Sequence, residues 1–174
     1  VFADNDATVA GLAESKFGST KDTDTSVVLT LGTGVGGAII INGRPFSGVH
    51  GVGSEIGHMI IGDGWYKCNC GNEGCFESYC SATAIIKYAQ KLLEEGYKSS
   101  IAMCENNLSN INAKMIFDAY AQNDEVAILV INRFKSYLAK GIANIVNTLD
   151  PGIIAIGGGV SKSEDIILDG LKEM

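Results

Sequence analysis

The stretch SVVLTLGTGVGGAIIING, residues 26–43, decides the fold of this chain. SVVLTL and GAIII are β-branched apolar runs that are too short for helices, and a glycine-rich turn joins them. Asn42-Gly43 is a strong turn dipeptide, and it predicts a third short strand around residues 44–46. We therefore expect the sheet to contain an antiparallel meander.

Helical periodicity predicts five helices around this meander, at residues 4–17, 81–96, 112–122, 124–149 and from 161 onward. Asp4 or Asn5 would cap the first helix, Ser81 the second and Asp124 the longest. Before the last helix, residues 152–156 form a short apolar strand that ends on three glycines. Strands first, then alternating helices and strands, indicate one α/β lobe with a mixed sheet.

Composition and charge exclude several classes of function. The chain has 174 residues and a net charge of −7, and its Lys and Arg residues are scattered singly, so it offers no basic stripe for nucleic acid. Its apolar runs are far shorter than the ~20 residues of a membrane span, and the start has no signal peptide. Five cysteines, three of them within eight residues, favour thiol chemistry in a reducing compartment. We expect a cytoplasmic protein that binds no membrane.

Two glycine clusters are candidate nucleotide-binding loops. LGTGVGG places Gly32, Gly34 and Gly37 in the G-x-G-x-x-G spacing, but a strand follows where the dinucleotide fingerprint requires a helix. A glycine-rich hairpin tip can still present backbone N–H groups to an anion, and a purely structural tight turn is the alternative. The second cluster, IGGGV at 156–160, lies between a strand and a helix, where ligands of open α/β sheets bind.

The stretch GHMIIGDGWYKCNCGNEGC, residues 57–75, contains one His and three Cys. These residues form a closed Cys₃His set that suits tetrahedral Zn²⁺, and its short spacings let one loop surround the ion. We therefore predict a structural ion that stabilises a loop without a core of its own, with buried unliganded thiols as the alternative. Cys80 and Cys104 are predicted to be ordinary buried residues. The predicted metal ligands are His58, Cys68, Cys70 and Cys75.

Two glutamates flank these ligands. Glu55 lies three residues before His58, and Glu77 lies two residues after Cys75. A metal that fixes both ends of the loop could direct both carboxylates into one cleft, whereas a single Glu is more often a surface charge.

Several motifs in this order resemble the ROK family of sugar kinases and repressors: Asn5-Asp6-Ala7 opening a helix, then LGTGVGG, GSEIGH, CNCGNEGCFE and IAIGGGVS. The resemblance covers nearly the whole chain. It implies an actin-like ATPase fold, which is ribonuclease H-like, with two α/β lobes around a cleft. Residues 1–24 would then be a helix and linker from the end of the first lobe, and residues 25–174 would be the second lobe, incomplete at its C-terminus.

The resemblance also implies roles for individual residues. Asp6 would be the catalytic base that accepts the proton of the sugar hydroxyl, although acidic residues are also common at helix N-termini. Asn5 would hold a neighbouring hydroxyl, and His58 would serve both sugar and zinc. The implied sugar-contacting residues are Asn5, Glu55, His58 and Glu77. The implied ligands of Mg²⁺-bound ATP are Gly32, Thr33, Gly34, Gly36 and Gly37 for the phosphates and Gly157, Gly158 and Gly159 for adenosine.

The activity implied by the resemblance is ATP-dependent phosphorylation of a hexose at the 6-hydroxyl, as in a glucokinase. The sugar-sensing lobe of a transcriptional repressor is the alternative, and a free-standing zinc-binding module is a third. The family's first phosphate loop, Asp-Gly-Gly-Thr, has no counterpart in this sequence, so we expect the 174-residue chain alone to lack kinase activity. The family often forms dimers through this lobe, so a homodimer is also expected.

Overall fold

The computed structural model describes residues 5–104 and 107–171, without the side chains of residues 103 and 104. Its sheet has the order β3-β2-β1-β4, in which β1 pairs antiparallel with β2 and parallel with β4, and β2 pairs antiparallel with β3. The predicted mixed sheet and its meander are therefore confirmed. The strands are β1 (Thr25–Leu31), β2 (Val35–Ile41), β3 (Arg44–Pro45) and β4 (Ile153–Gly157).

The helices of the described residues are α1 (Asp6–Phe17), α2 (Glu77–Cys80), α3 (Ala82–Glu94), α4 (Ser100–Cys104), α5 (Ala113–Ala121), α6 (Glu125–Leu149) and α7 (Glu164–Leu168). The predicted caps of α1, α3 and α6 are confirmed, because the side chains of Asn5, Ser81 and Asp124 accept backbone N–H groups of the first turns. Asp4, the other candidate cap of α1, lies outside the described residues.

The end of the chain and three short elements differ from the predictions. Instead of one helix from residue 161 onward, Val160–Ser163 form a 3-10 turn and α7 ends at Leu168, before Gly170 with a φ of +68°. The short helices α2 and α4 and a 3-10 turn at Ile56–His58 were not predicted. Elements of three to five residues are too short to show helical periodicity in a sequence.

The two faces of the sheet pack against different elements. Val27, Leu29 and Leu31 alternate along β1 and join the core formed with the helices, which is the main apolar cluster of the lobe. The opposite face packs against α1, where a Cβ at Gly11 would collide with the side chain of Ala38. This close approach places the start of α1 beside the β1–β2 turn.

The long helix α6 provides the centre of the core. Val126, Val130, Phe134, Leu138 and Ile145 are each at most 2% exposed. Cys80 is also fully buried, as predicted, whereas the side chain of Cys104 lies outside the described residues. Among the described residues, no helix combines the length and apolar character that crossing a bilayer requires.

Candidate functional site

A cleft of about 460 Å³ lies between the start of α1, the β1–β2 turn and the Ile56–His58 turn. These elements come from segments that are far apart in the sequence, and the fold brings them together at one edge of the sheet. All the residues that the family resemblance assigns to catalysis and sugar binding line this cleft: Asn5, Asp6, Glu55, His58 and Glu77.

Asn5 and Asp6 are held at the N-terminus of α1. The Asn5 Oδ1 atom accepts the N–H groups of Ala7 at 2.9 Å and Thr8 at 3.3 Å, which is the geometry of a capping residue. Asp6 Oδ1 also accepts the Ala7 N–H group, at 2.8 Å. Both side chains therefore have fixed positions at the start of α1.

The β1–β2 turn consists of Gly32, Thr33 and Gly34, closed by a hydrogen bond of 3.0 Å from the Gly32 N–H group to the Gly34 carbonyl. The start of α3 holds its carbonyl groups. The Ala82 N–H group donates to the Gly32 carbonyl at 2.8 Å, and the Thr83 hydroxyl donates to the Thr33 carbonyl at 2.7 Å. The turn therefore has a fixed position at the cleft.

Gly36 and Gly37 belong to strand β2 and permit close packing. A Cβ at residue 36 would lie 2.5 Å from Thr30 Oγ1 and 2.8 Å from the Ala7 Cβ, and one at residue 37 would lie 2.8 Å from Ile56. These two glycines let α1 and the Ile56–His58 turn approach the strand. The spacing of the glycines in the sequence does not show whether they serve this packing or bind a phosphate.

Glu77 connects the β1–β2 hairpin to the cysteine cluster. Its Oε2 atom accepts the Val35 N–H group at 3.2 Å, and its Oε1 atom lies 3.5 Å from the Cys68 thiol. Glu77 is thus half-buried and hydrogen-bonded, unlike a simple surface charge. Glu55 is more exposed, with its Oε2 atom 4.0 Å from His58 Nε2.

The four predicted metal ligands converge. Their donor atoms all lie within 4.8 Å of one another. Cys68 Sγ is 3.6 Å from His58 Nδ1, and Cys70 Sγ is 3.6 Å from Cys75 Sγ. A tetrahedral zinc ion with bonds of about 2.3 Å to sulfur would separate two sulfur ligands by about 3.8 Å. The donor set and its spacing therefore fit Zn²⁺.

Burial and hydrogen bonds shift the pKa values of the three thiols in different directions. Burial raises the pKa of the Cys75 thiol to about 12 and raises the pKa of the Cys68 thiol. The backbone N–H group of Asn72 lowers the pKa of Cys70. Buried neighbouring thiols ionise together at neutral pH only when a cation compensates their charges.

The loop that carries these ligands contributes Trp65 to an aromatic group that packs against the main core. Trp65 Nε1 donates to the Ser78 carbonyl at 2.6 Å, and the Gly64 N–H group donates to the Tyr79 hydroxyl at 2.9 Å. The Arg133 guanidinium lies 4.2 to 5.2 Å from the centroids of four rings. These rings, which we call the Arg133 cage, are Trp65, Tyr79, Tyr88 and Tyr137.

A second cavity, of about 550 Å³, lies on the other side of the β1–β2 turn. Gly32 and Thr33 line both cavities. Of the second glycine cluster, Gly158 lines the first cleft and Gly159 the second cavity, while Gly157 ends β4 and lines neither. Residues of α5 that the sequence did not indicate as functional complete the second cavity: Lys114, Phe117 and Asp118.

Comparisons with known proteins agree with this architecture. The glucokinase of Halalkalibacterium halodurans is 40% identical over 174 residues, which are 99% of this chain and 53% of that protein. A crystal structure of a ROK family glucokinase from Streptomyces griseus, in complex with glucose and AMPPNP, has a TM-score of 0.87 and 30% identity, covering 99% of this chain and 56% of that one.

A ROK family transcriptional regulator, a homologue of the E. coli MLC protein, has a TM-score of 0.86 and 34% identity over 99% of this chain and 43% of the regulator. The chain thus spans about half the length of the curated glucokinases that it matches. Its α/β fold with a mixed sheet is like that of the ROK glucokinases. Because the model of the ROK family matches residues 1–174, the chain belongs to the ROK family.

Proposed function

We propose that the full-length protein is a sugar kinase that transfers a phosphoryl group from ATP to the 6-hydroxyl of a hexose, as a glucokinase does. The observation that carries this proposal is that Asp6 and the β1–β2 turn meet at one cleft with four further polar residues, which are Asn5, Glu55, His58 and Glu77. The 40% identity to a glucokinase supports it.

Asp6 acts as the general base in this proposal. A sugar hydroxyl is a poor nucleophile until a carboxylate accepts its proton as the bond to phosphorus forms. Asp6 is fixed at the start of α1, where its carboxylate accepts the Ala7 N–H group. Asn5 beside it holds a neighbouring hydroxyl and thereby orients the reacting one.

Glu55, His58 and Glu77 bind the remaining hydroxyls. The His58 Nδ1 atom faces Cys68 and the metal cluster, whereas Nε2 faces Glu55. Metal ligation through Nδ1 would leave the proton on Nε2, which can then donate to a sugar oxygen. A site built from such groups rejects analogues that lack a hydroxyl, because their polar partners stay unpaired.

ATP with Mg²⁺ supplies the transferable phosphoryl group. We place its phosphates at the turn of Gly32, Thr33 and Gly34, between the two cavities, with Gly36 and Gly37 next to them in β2. We place adenosine along Gly157, Gly158 and Gly159, of which Gly159 lines the second cavity. The aromatic ring of Phe117 provides an apolar surface there.

The second candidate is the sugar-sensing lobe of a repressor. The 34% identity to a ROK family transcriptional regulator, at a TM-score of 0.86, supports this alternative. A sensor binds its sugar without turnover, so catalysis separates the two functions.

The test is ADP release by the full-length protein with Mg²⁺-bound ATP across a panel of hexoses. The Asp6→Asn variant keeps the size of the side chain but removes the proton acceptor, and we expect kcat to fall on the order of 10²- to 10⁴-fold. Asp165→Asn, an exposed change on α7, is the matched control and keeps full activity. Sugar binding without turnover would favour the sensor, and a fully active Asp6→Asn variant would exclude Asp6 as the base.

A further inference from the structure

The residue before Glu55 has an unusual backbone conformation. Ser54 has a φ of +73°, in the left-handed region, where side chains other than glycine are strained. Gly53 directly precedes Ser54, so the left-handed conformation falls on the serine and not on the neighbouring glycine. A serine in this conformation needs a compensating interaction of its side chain.

The Ser54 hydroxyl makes two hydrogen bonds that provide this compensation. It donates to the Phe46 carbonyl at 2.7 Å and accepts the Ile39 N–H group at 3.2 Å. Ile39 belongs to β2, and Phe46 directly follows β3. The hydroxyl therefore ties the loop that precedes Glu55 to the sheet.

Glu55 itself lies in a tight turn between two fixed points. Its φ of −71° and ψ of 54°, with a 2.7 Å hydrogen bond from the Ile56 N–H group to the Ser54 carbonyl, define an inverse γ-turn. On the other side, Gly57 packs against the Val35 carbonyl so closely that a Cβ would collide with it. The Glu55 side chain is 52% exposed, so few packing contacts orient it. Its direction therefore depends mainly on the backbone of this turn.

We propose that Ser54 is a positioning residue whose hydroxyl holds the left-handed backbone that directs Glu55 into the sugar cleft. The proposal rests on the proposed function, in which Glu55 contacts the sugar. Ser54 also lines the cleft, so a change in its backbone alters the site directly.

Two variants separate the hydroxyl from the backbone strain. Ser54→Gly suits a positive φ but lacks the hydroxyl, and Ser54→Ala lacks the hydroxyl and keeps the strain. Ser47→Ala is the control, because Ser47 is exposed on the same loop and binds Gly53 through its backbone carbonyl, which the substitution leaves intact. The measurements on the full-length protein are hexose affinity, the steady-state constants and amide hydrogen exchange at Ile39 and Ile56.

We expect both Ser54 variants to weaken hexose binding by about tenfold, because Glu55 would then adopt its binding orientation only about a tenth of the time. The KM for the hexose rises, whereas kcat and the KM for ATP stay near the wild-type values, because only sugar binding is disturbed. Amide exchange at Ile39 and Ile56 becomes faster. The Ser47→Ala control changes none of these quantities.

Wild-type affinity and exchange in Ser54→Gly would overturn the proposal, since the hydroxyl would then be dispensable. An equal loss of affinity in Ser47→Ala would also overturn it, because any loosening of the loop would suffice. A wild-type protein that binds no hexose would instead refute the proposed function, and the role of Ser54 in sugar binding with it. Exchange at Ile56, whose N–H group donates to the Ser54 carbonyl, would still decide whether the hydroxyl fixes the backbone.

Discussion

At the scale of single residues, Asp124 connects the cap of α6 to the start of α4. Its carboxylate accepts the N–H groups of Ala127 at 3.0 Å and Ser100 at 2.7 Å, and the hydroxyls of Ser99 and Ser100. Burial raises the pKa of Asp124, but these hydrogen bonds outweigh burial and hold the pKa below its ordinary value. The ionised side chain is therefore bound more favourably in the folded state.

The lowered pKa makes this contribution depend on pH. This stabilisation is fully present above the pKa of Asp in the unfolded chain, which is about 3.9. It is lost as the pH falls through the lower pKa of Asp124 in the folded state. We expect Asp124→Asn to lower the free energy of unfolding by about 1 to 2 kcal/mol at pH 7, because the amide cannot accept all four donors. Urea unfolding at pH 7 and pH 3 checks this, with Asp165→Asn as an exposed control. If the free energies of unfolding of the wild type and Asp124→Asn differed as much at pH 3 as at pH 7, the prediction would be wrong.

The helix caps are the residues that the sequence predicts best, and the four predicted metal ligands also lie close together, as their pattern indicates. A cap bonds to N–H groups two or three residues away, so Asn5, Ser81 and Asp124 are recognisable from local pattern alone. The bond from Val35 to Glu77 joins residues 42 positions apart, and no local signal indicates it. The strain at Ser54 is likewise invisible before the backbone is known.

At the scale of elements, the Arg133 cage joins the metal loop to three helices. Trp65 belongs to the loop, Tyr79 to α2 and Tyr88 to α3, while Arg133 and Tyr137 belong to α6. Burial lowers the pKa of Arg133, and the rings around it compensate by attracting its charge. Removing the guanidinium would leave a gap between the loop, α2, α3 and α6.

We expect Arg133→Leu to lower the free energy of unfolding by about 2 to 3 kcal/mol, through lost packing and lost cation–π contacts. Lys140→Met is the matched control, because the exposed Lys140 contacts only the ring of Tyr137 among the described residues, with its ammonium 4.4 Å from the ring centroid. It should cost less than about 1 kcal/mol. Chemical unfolding followed by Trp65 fluorescence measures both, and equal losses in the two variants would show that the cage adds no stability of its own.

Element length explains which parts of the fold were predictable. Helices α1, α3, α5 and α6 have nine to 25 residues, long enough for their caps and apolar faces to show. Helices α2 and α4 have four and five residues, and tertiary contacts rather than periodicity determine them. The Arg133 cage combines side chains from the loop and three helices, and no sequence pattern indicates that they meet.

At the scale of the whole molecule, the lobe consists of a large core and the loop of residues 57–75, which packs against that core through Trp65. The main core lies between the sheet and α3, α5 and α6, and none of the four metal ligands belongs to it. The predicted ligands instead lie next to residues of the cleft, since His58 also lines the cleft and Glu77 contacts Cys68. Metal loss should therefore disturb the cleft more than the fold.

We expect complete chelation of the metal to weaken hexose binding by at least about tenfold, because His58 and Glu77 lose their fixed neighbours, while the helical circular dichroism signal stays largely intact. Cys75→Ala should reproduce this result. Cys80→Ala is the control and keeps one metal ion per chain, because the Cys80 thiol contacts the Phe134 carbonyl outside the cluster. Elemental analysis measures the metal content of each variant, and calorimetric titration measures its affinity for the hexose. Collapse of the helical signal would assign the metal to the core, and unchanged sugar affinity in metal-free protein would separate the metal from the cleft.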